Sequence, residues 1–248
     1  MALEVLAEHR RHEDSAVTVA VSLYNYCDHV LSCLESVKTQ TMSDLDLIVV
    51  DDHSADGGND IVKRWMEENN ERFGRCTLAR HTENRGLAAT RNTAFARART
   101  EYVFVCDADN MLYPRCLQQL AAALDLTAAS FAYCQLEQFG AASGLQNIHA
   151  WNPDGLREGN RIDAMALLRR SVWHAAGGYS MDMPAMGWED FDLWFKIAQM
   201  KGWGVQVPEI LARYRVHLDS MIHSVSDQSK DRLWDYLRSR HPDFFRVQ

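Results

Sequence analysis

Two aspartates, Asp107 and Asp109, come directly after an apolar run in the stretch YVFVCDADN (102–110). The run is typical of a buried strand. Because Asp ends strands and forms turns readily, turn chemistry is one explanation for the pair. The other is that the two carboxylates bind a hard divalent cation, which takes carboxylate and phosphate oxygens together. A bare pair of this kind is common, so the choice depends on where the fold places it.

A second group of acids lies in the stretch GWEDFDLW (187–194), where Glu189, Asp190 and Asp192 fall at the start of a predicted helix. The helix dipole favours acidic side chains at a helix N-terminus. A carboxylate that faces a cleft can instead take a proton from a substrate hydroxyl. Taken alone, these residues favour the helix-terminus explanation.

Strand and helix patterns alternate along the first half of the chain. This alternation predicts an α/β domain of βαβ units, with a parallel sheet and right-handed crossovers. Apolar runs predict strands at 16–25, 45–54, 77–84 and 102–110, and the intervening and following segments predict helices at 28–41, 57–73, 86–99 and 114–126.

Three polar clusters fall at the carboxyl ends of these predicted strands. Ligands of open α/β sheets bind beyond those ends, so the coincidence indicates a binding site there. No glycine fingerprint of the G-x-G-x-x-G or G-x-x-x-x-G-K-[ST] type follows the first strand, which argues against dinucleotide and P-loop sites. The clusters are Ser22 with Tyr24 and Asn25, Asp51 with Asp52, and Asp107 with Asp109.

The rest of the chain is less regular. A long segment rich in Gly and Asn has little apolar periodicity and predicts an irregular, functional or disordered stretch. The predicted features are a frayed leader or helical lead-in at 1–15, the irregular stretch at 139–160, a strand or short helix at 164–180 with a turn at Gly177–Gly178, a helix at 189–202, a strand at 203–217 broken by Pro208, and an amphipathic helix in the tail.

Composition excludes several classes of protein. The 248 residues, 47% hydrophobic and 24% charged, are those of an ordinary soluble globular protein. A formal charge of −8 argues against a nucleic-acid-binding protein, although a metal ion would still let it bind one nucleotide. The six cysteines contain no C-x-x-C pair and predict buried thiols in a reducing compartment. With no signal-peptide pattern and no apolar run of ~18 residues, we expect a cytoplasmic protein without a membrane span.

Seven motifs are informative because they occur together, in order and with sensible gaps, from about residue 17 to residue 220. They are VAVSLYNY, LESVKTQTMSDLDLIVVDDHSADG, NRGLAATRN, VFVCDADN, RRSVWHAAGGYSMDM, GWEDFDLWFKIAQMKGW and YRVHLDSM. In this combination the chain resembles the inverting glycosyltransferases of the GT-A fold, and among them the large family 2.

The resemblance implies a single Rossmann-like domain, with a mainly parallel central sheet, helices on both faces and a C-terminal helical tail. It divides the chain into a leader (1–16), a nucleotide-sugar-binding half (17–125), an acceptor-binding half (126–222) and the tail (223–248).

The resemblance also implies a binding site for the nucleotide of the donor. Ser22 and Tyr24 would contact uracil or an equivalent base, and Asp52 would accept a hydrogen bond from a base N–H. An arginine would meet the diphosphate or the ribose, because a guanidinium forks onto phosphate well. Arg85 is our candidate for this role, and Arg91 is an open alternative.

The acids receive roles from the same resemblance. Asp109 would ligate Mn²⁺ or Mg²⁺ directly, and Asp107 would lie nearer the ribose or the outer shell of the metal. Asp190 would be the catalytic base of a single in-line displacement. His217 would be a third metal ligand or a diphosphate contact, and Ser220 would donate to a phosphate oxygen.

Acceptor recognition is less defined. Trp188 and Glu189 would lie on the acceptor side, with Trp188 offering an apolar face to a sugar ring. The donor would be a nucleotide-diphospho-sugar, preferably a UDP-sugar carrying a hexosyl or N-acetylhexosaminyl group. The acceptor would be a hydroxyl of a saccharide, a lipid-linked glycan or a small molecule, which leaves room for peripheral membrane association. The segment 139–160 matches no family motif, so it does not narrow the acceptor.

Other functions remain as alternatives. Phosphatases of the haloacid dehalogenase type also use a D-x-D motif, but theirs follows the first strand. Nucleotidyltransferases that make sugar nucleotides need a Gly-rich, basic loop after that strand, and YNYCDHVLSC is neither. A degenerate module that binds nucleotide or glycan without turnover, or one domain of a larger polysaccharide-synthesising protein, is the main alternative.

Overall fold

The computed structural model describes residues 3–12, 14–218 and 229–246. Within these ranges the strands are β1 (Leu3–Arg10), β2 (Val17–Leu23), β3 (Leu45–Asp51), β4 (Arg75–His81), β5 (Tyr102–Asp107), β6 (Met111–Leu112), β7 (Phe131–Gly140), β8 (Gly144–Gln146), β9 (Ala166–Arg169) and β10 (Gly204–Val216). The helices are α1 (Val30–Lys38), α2 (Gly58–Asn69), α3 (Leu87–Arg97), α4 (Cys116–Asp125), α5 (Arg170–Ala175), α6 (Glu189–Gln199), α7 (Lys230–Arg240) and α8 (Pro242–Phe245). In the described part of the chain, no helix is long and apolar enough to cross a membrane.

The strands form one sheet in the order β1-β4-β3-β2-β5-β9-β7-β10-β6, and β8 pairs with β7. β4, β3, β2 and β5 run parallel to one another. β9 is antiparallel to both β5 and β7, and β10 runs parallel to β7. The predicted α/β domain with a mainly parallel centre is therefore confirmed, and the sheet becomes mixed beyond β5.

Helices cover both faces of the sheet because its central strands are apolar on both sides. Along β2, Val19 and Val21 belong to one core and Ala20 belongs to the other, since successive side chains point to opposite faces. The first core also contains residues of α1, α2 and α4. The second core is richer in aromatic rings, including Phe95 of α3 and Phe191 of α6. The candidate site lies at the edge of the sheet where these two cores end.

Strand register brings the three polar clusters to one edge of the sheet. In this register Ser22 of β2 lies opposite Asp107 of β5, and Leu23 lies opposite Asp51 of β3. The Ala108 N–H donates to the Ser22 carbonyl at 3.1 Å, which holds the turn after β5 against the end of β2. The predicted binding edge is thus present.

Three predicted segments differ from the structure. Residues 3–10 form β1, which pairs with β4, so the frayed leader or helical lead-in was wrong. This strand is half exposed at the sheet edge and therefore lacks the apolar run of a buried strand. The stretch 139–160 begins in β7 and includes β8 and a 3₁₀ turn. Pro208 does not end β10, because it sits at a register shift between Val207 and Ile210.

Other local predictions are confirmed. Gly177 and Gly178 adopt φ angles of 75° and 74° after α5, a conformation that favours glycine. In α7, Leu233 and Leu237 are fully buried, as expected of an amphipathic helix packed on the domain. All six cysteines are free thiols, and each except Cys27 is buried.

Candidate active site

A cavity of about 550 Å³ opens at the edge of the sheet where β2 and β5 end. Its size is that of a small-molecule site, and its position is where open α/β sheets bind ligands. It is lined by side chains that include Ser22, Tyr24, Tyr26, Asp52, Arg91, Asp107, Asp109, Asn160, Asp163, Glu189, Asp190, Tyr214, Arg215 and His217.

Arg91 of α3 joins two acids of this lining. Its Nη2 donates to both carboxylate oxygens of Asp107 at 3.1 Å, and its Nη1 donates to Glu189 Oε1 at 2.9 Å. Burial alone would lower the pKa of Arg91, but the carboxylates of Asp107 and Glu189 raise it, so the guanidinium stays charged. Glu189 also accepts from the Gly187 N–H at 2.9 Å. Through Arg91, the Glu189 carboxylate joins α6 to the D-x-D turn, which is the turn that carries Asp107 and Asp109. The sequence analysis placed Glu189 on the acceptor side, but its carboxylate is already engaged by these hydrogen bonds.

Asp109 and His217 form a second pair in the lining. Asp109 Oδ2 is 2.8 Å from His217 Nε2, and the His217 ring stacks on Tyr26 with centroids 5.5 Å apart. Burial raises the pKa of Asp109 and Asp107 raises it further, whereas His217 acts in the opposite direction. A divalent cation at this corner would stabilise the charged form of Asp109, which burial and Asp107 disfavour.

The donor set of this corner suits Mn²⁺ or Mg²⁺ in its chemistry. Carboxylate oxygens suit both ions, and an imidazole nitrogen suits transition metals such as Mn²⁺. In residues 3–12, 14–218 and 229–246, however, no group of three or more His, Cys, Asp or Glu side chains is arranged to hold a metal ion. Asp109 and His217 together would be two protein ligands, and ligand or water oxygens would have to complete the shell, as is common for Mg²⁺.

The end of β10 is fastened to the turn that carries Asp109. The Arg215 N–H donates to Asn110 Oδ1 at 2.8 Å, and Arg215 Nε donates to the Asp109 carbonyl at 3.1 Å. The Arg215 guanidinium also lies over the Phe139 ring, 4.4 Å from its centroid. Sequence analysis missed Arg215, although a signal existed: it is two residues before His217, so strand alternation places both on one side.

Asp190 lies in the first turn of α6 and also faces the cavity. The Phe191 N–H donates to its Oδ1 at 2.8 Å, and Asn160 Nδ2 donates to its Oδ2 at 2.9 Å. Burial raises the pKa of Asp190 to about 8, and the neighbouring Glu189 contributes to the rise. A carboxylate in this environment takes up a proton near neutral pH, which suits a general base.

The three residues predicted to hold the nucleotide base all line the cavity: Ser22, Tyr24 and Asp52. Tyr24 is 47% exposed, so its ring is available to a ligand. Ser22 is buried at the end of β2, where its carbonyl is already bonded to the next strand's turn. Their contacts with a base stay a prediction.

Asp52 has a second role in the free protein, because it anchors the loop before α3. Its Oδ1 is 2.6 Å from His81 Nδ1 and accepts from the Arg85 N–H at 2.9 Å. Its Oδ2 accepts from the Gly86 N–H at 2.7 Å. The Arg85 side chain does not line the cavity, whereas that of Arg91 does. Of the two arginines, only Arg91 lines the cavity, and the contact of either with a diphosphate or ribose stays a prediction.

Trp188 is placed away from the position predicted for it. Its ring packs on Phe191 and on Trp234 of α7, with centroid distances of 5.4 Å and 5.3 Å, and it does not line the cavity. Trp188 is half-buried by these contacts, and its predicted contact with a sugar ring stays a prediction. Ser220, the predicted phosphate contact, lies outside the described residues.

Comparison with known proteins decides the family. The family model described as glycosyl transferase family 2 matches residues 18–182, more than half of the chain. The chain belongs to glycosyl transferase family 2. Relatives in this family are named glycosyltransferases.

Two relatives of this family 2 protein match less than half of its length. EpsH of Bacillus subtilis (strain 168), whose name describes it as a glycosyltransferase, is 38% identical over 116 residues, 46% of this chain and 32% of EpsH. TarP of Staphylococcus aureus (strain N315), a poly(ribitol-phosphate) beta-N-acetylglucosaminyltransferase, is 32% identical over 109 residues, 42% of this chain and 31% of TarP. The matches span about a third of each relative's length.

Solved structures show that the fold is shared more widely. S. aureus TarS 1–349 in complex with UDP-GlcNAc superposes with a TM-score of 0.71 at 16% identity, covering 84% of this chain and 61% of that one. The mannosyltransferase PcManGT from Pyrobaculum calidifontis, in complex with GDP-Man and Mn²⁺, superposes with a TM-score of 0.66 at 23% identity, covering 91% and 61%. At these identities the likeness shows the GT-A fold alone.

Proposed function

We propose that this family 2 protein is a metal-dependent inverting glycosyltransferase that uses a nucleotide-diphospho-sugar, preferably a UDP-sugar. One observation carries the proposal: a single cavity brings together the aspartates after β5 and, on α6, a buried carboxyl whose pKa is raised. The first group is suited to hold a diphosphate through a cation, and the second to accept a proton. Inverting transfer needs both functions in one site.

The reaction is a single displacement. Asp190 takes the proton of the acceptor hydroxyl as the acceptor oxygen bonds to the anomeric carbon, and the bond from that carbon to the diphosphate oxygen breaks. Burial favours this proton transfer, because it raises the pKa of Asp190 toward that of the hydroxyl it must deprotonate. Asn160 orients the carboxylate by its hydrogen bond to Oδ2.

Asp109 and His217 are the residues that would hold a divalent cation, and Asp107 would stay with Arg91 at the edge of that site. When bound, such a cation supplies positive charge that stabilises the departing diphosphate. Arg91, which is already neutralised by two carboxylates, orients Asp107 and the start of α6.

Support for the donor comes from the structural neighbours. TarS forms complexes with UDP and with UDP-GlcNAc, and PcManGT forms one with GDP-Man and Mn²⁺. TarP is named as an N-acetylglucosaminyltransferase. These names favour a uridine nucleotide and an N-acetylhexosaminyl or hexosyl group for this chain. A glycan, lipid-linked or small-molecule hydroxyl would be the acceptor, and a cytoplasmic location stays part of the proposal.

Nucleotide binding tests the proposal directly. Thermal unfolding is measured with UDP, GDP, dTDP and CDP, each with Mn²⁺, Mg²⁺ or EDTA. A ligand at about 100 times its Kd stabilises the folded state by about 2.7 kcal/mol, so binding is readily detected. We expect a shift with UDP that needs the metal ion and is lost in Asp109→Asn. The matched control, Asp154→Asn, changes an exposed aspartate outside the cavity and should keep the shift.

Two results would contradict the proposal. Absence of a shift with every nucleotide would indicate a degenerate, glycan-binding module or a missing partner domain, and the catalytic assignments would be withdrawn. A shift that survives both EDTA and Asp109→Asn would remove the metal from the mechanism and leave only nucleotide binding.

A further inference from the structure

Asp163 is a carboxylate of the cavity lining that has no role in the mechanism above. Its backbone is well fixed. The Asp163 N–H donates to Asn147 Oδ1 at 2.8 Å, and its Oδ1 accepts from the Met165 N–H at 2.9 Å. The preceding carbonyl, of Ile162, accepts from Trp194 Nε1 at 2.9 Å. Asp163 is thus a rigidly placed acid at the start of the β9 segment.

Asp163 lines the same cavity as the two groups that the reaction needs. Asp163 is close enough to Asp107 and Asp109 that both raise its pKa, after burial, and close enough to Asp190 to raise the pKa of that carboxyl in turn. All four side chains line one cavity. In the proposed reaction, the group that extends from the diphosphate to the catalytic base is the sugar being transferred.

We infer that the Asp163 carboxylate accepts hydrogen bonds from hydroxyl groups of the transferred sugar and so contributes to the choice of donor sugar. This inference rests on the proposed function. Sugar hydroxyls are hydrogen-bond donors, and an ionised carboxylate is a stronger acceptor than a neutral group. A site built to bind a hydroxyl also rejects a donor that lacks it, because the carboxylate is then left unpaired.

A purely structural role fits Asp163 less well. Burial raises its pKa to about 6, so the charged form is disfavoured in the free protein, although Arg91 partly offsets this. Its Oδ1 bond to the Met165 N–H could be made equally by the oxygen of an asparagine. A carboxyl group that lines a cavity although burial disfavours its charged form is typical of a ligand-binding position.

The test compares a nucleotide with its sugar conjugates. Dissociation constants are measured by calorimetry for UDP, UDP-GlcNAc, UDP-glucose and UDP-galactose with Mn²⁺, on the full chain and on Asp163→Asn and Asp163→Ala. For the sugar nucleotide that the wild type binds tightest, we expect Asp163→Ala to weaken binding about tenfold and Asp163→Asn to weaken it less. Binding of UDP should change less than twofold. Asp154→Asn, an exposed aspartate a few residues earlier, is the matched control and should change neither.

The outcomes separate the inference from the function on which it rests. If both variants bind the sugar nucleotide as the wild type does, or lose UDP and sugar nucleotide equally, the inference is wrong while the proposed function stands. If the wild type itself binds no nucleotide, both fail together. Thermal unfolding without ligand checks the fold of each variant.

A second measurement needs only the wild type and Asp163→Asn, the isosteric variant. Deoxygenating one sugar hydroxyl of the preferred donor at a time should weaken wild-type binding at one or two positions. At those positions Asp163→Asn should show a smaller loss, since the two changes remove the same contact. Equal losses in both proteins at every position would overturn the inference.

Discussion

Asp190 and Asp192 lie two residues apart in the first turn of α6, yet their surroundings shift their pKa values in opposite directions. Asp192 is fully buried and does not line the cavity. Arg240 Nε lies 3.6 Å from its Oδ1. Its closer partners are Lys196 Nζ at 2.8 Å, His241 Nε2 at 2.8 Å and Ser180 Oγ at 2.7 Å. These partners overcome burial and lower the pKa of Asp192 to about 2. Asp190 has no such cationic neighbour at contact distance in the described residues, and its pKa rises to about 8.

The contrast between Asp190 and Asp192 shows how one helix terminus can serve both stability and chemistry. A carboxylate surrounded by cations and hydrogen-bond donors is fixed in its charged form, and Asp192 in this form ties α6 to His241, between α7 and α8. A carboxylate that faces the cavity is left with one amide donor and a backbone N–H, so its proton can move. The helix-terminus explanation therefore suits Asp192, and the proposed base suits Asp190.

The largest expected effect is on catalysis by Asp190→Asn. The variant keeps the shape of the side chain and can keep one of its two hydrogen bonds, but it cannot take a proton, so sugar transfer or donor hydrolysis should fall roughly 10²–10⁴-fold. Donor turnover is the measurement, with metal-dependent UDP binding as the check that the site is intact. If Asp190→Asn and Asp109→Asn both keep near wild-type turnover, the catalytic assignments fail.

The next largest effect is on stability in Asp192→Asn. Removing this buried carboxylate leaves Lys196 and His241 without their charged partner, and we expect the free energy of unfolding to drop by about 3–5 kcal/mol. Urea unfolding measures it. Asp182→Asn is the matched control, because Asp182 also joins the tail through Arg240 but is exposed, so its loss should be about 0–1 kcal/mol. A large loss of turnover without a loss of stability in Asp192→Asn would break the comparison.

A smaller effect is a difference in the pH dependence of stability. Since the pKa of Asp190 is higher in the folded than in the unfolded state, its contribution should lower the free energy of unfolding as pH rises from about 4 to about 8. The free energy of unfolding of Asp190→Asn should therefore rise relative to that of the wild type over this pH range, by roughly 1–3 kcal/mol at pH 8. Asp192 has the opposite sign: its stabilisation is present above pH 4 and is lost as pH falls toward about 2. Urea unfolding at several pH values, on both variants, checks the two signs.

The smallest effect concerns the pH profile of turnover. Because the base must be deprotonated, kcat/KM for donor turnover should rise with pH and level off above about 8. Asp163→Asn removes a negative neighbour of Asp190, so the midpoint of this rise should move to lower pH by less than about one unit. A profile that is flat between pH 6 and pH 9 would argue against Asp190 as the titrating group.

The first half of the fold was predictable because its signals are local. β2, β3 and β5 are buried on both faces, so each appears as a largely apolar run that ends in polar residues. The edge strand β1 is half solvated, and its mixed sequence does not differ from that of a leader. In the second half, β9 inserts between β5 and β7, and β10 runs beside β7. Pairing between segments so far apart in the chain leaves no local sequence pattern from which it could be predicted.

The candidate site was predictable to a similar degree. Asp107, Asp109 and Asp190 come from motifs, and the structure brings all three to one cavity. The choice between Arg85 and Arg91 could not be made from spacing, because both flank the same helix start. The choice depends on which guanidinium faces Asp107 in the folded chain, and that is the guanidinium of Arg91.

Motifs in the chain were enough to indicate the family, the parallel strand ends that gather the polar clusters, and the acids that could do chemistry. Which of those acids is neutralised and which is not follows from three-dimensional packing alone. Arg91 reaches Asp107 and Glu189 from 16 and 98 residues away in the chain, and His241 reaches Asp192 from 49 residues away. The charge state of a carboxylate depends on burial and on the groups around it in space. Neighbours in the chain such as Asp190 and Asp192 can therefore differ completely.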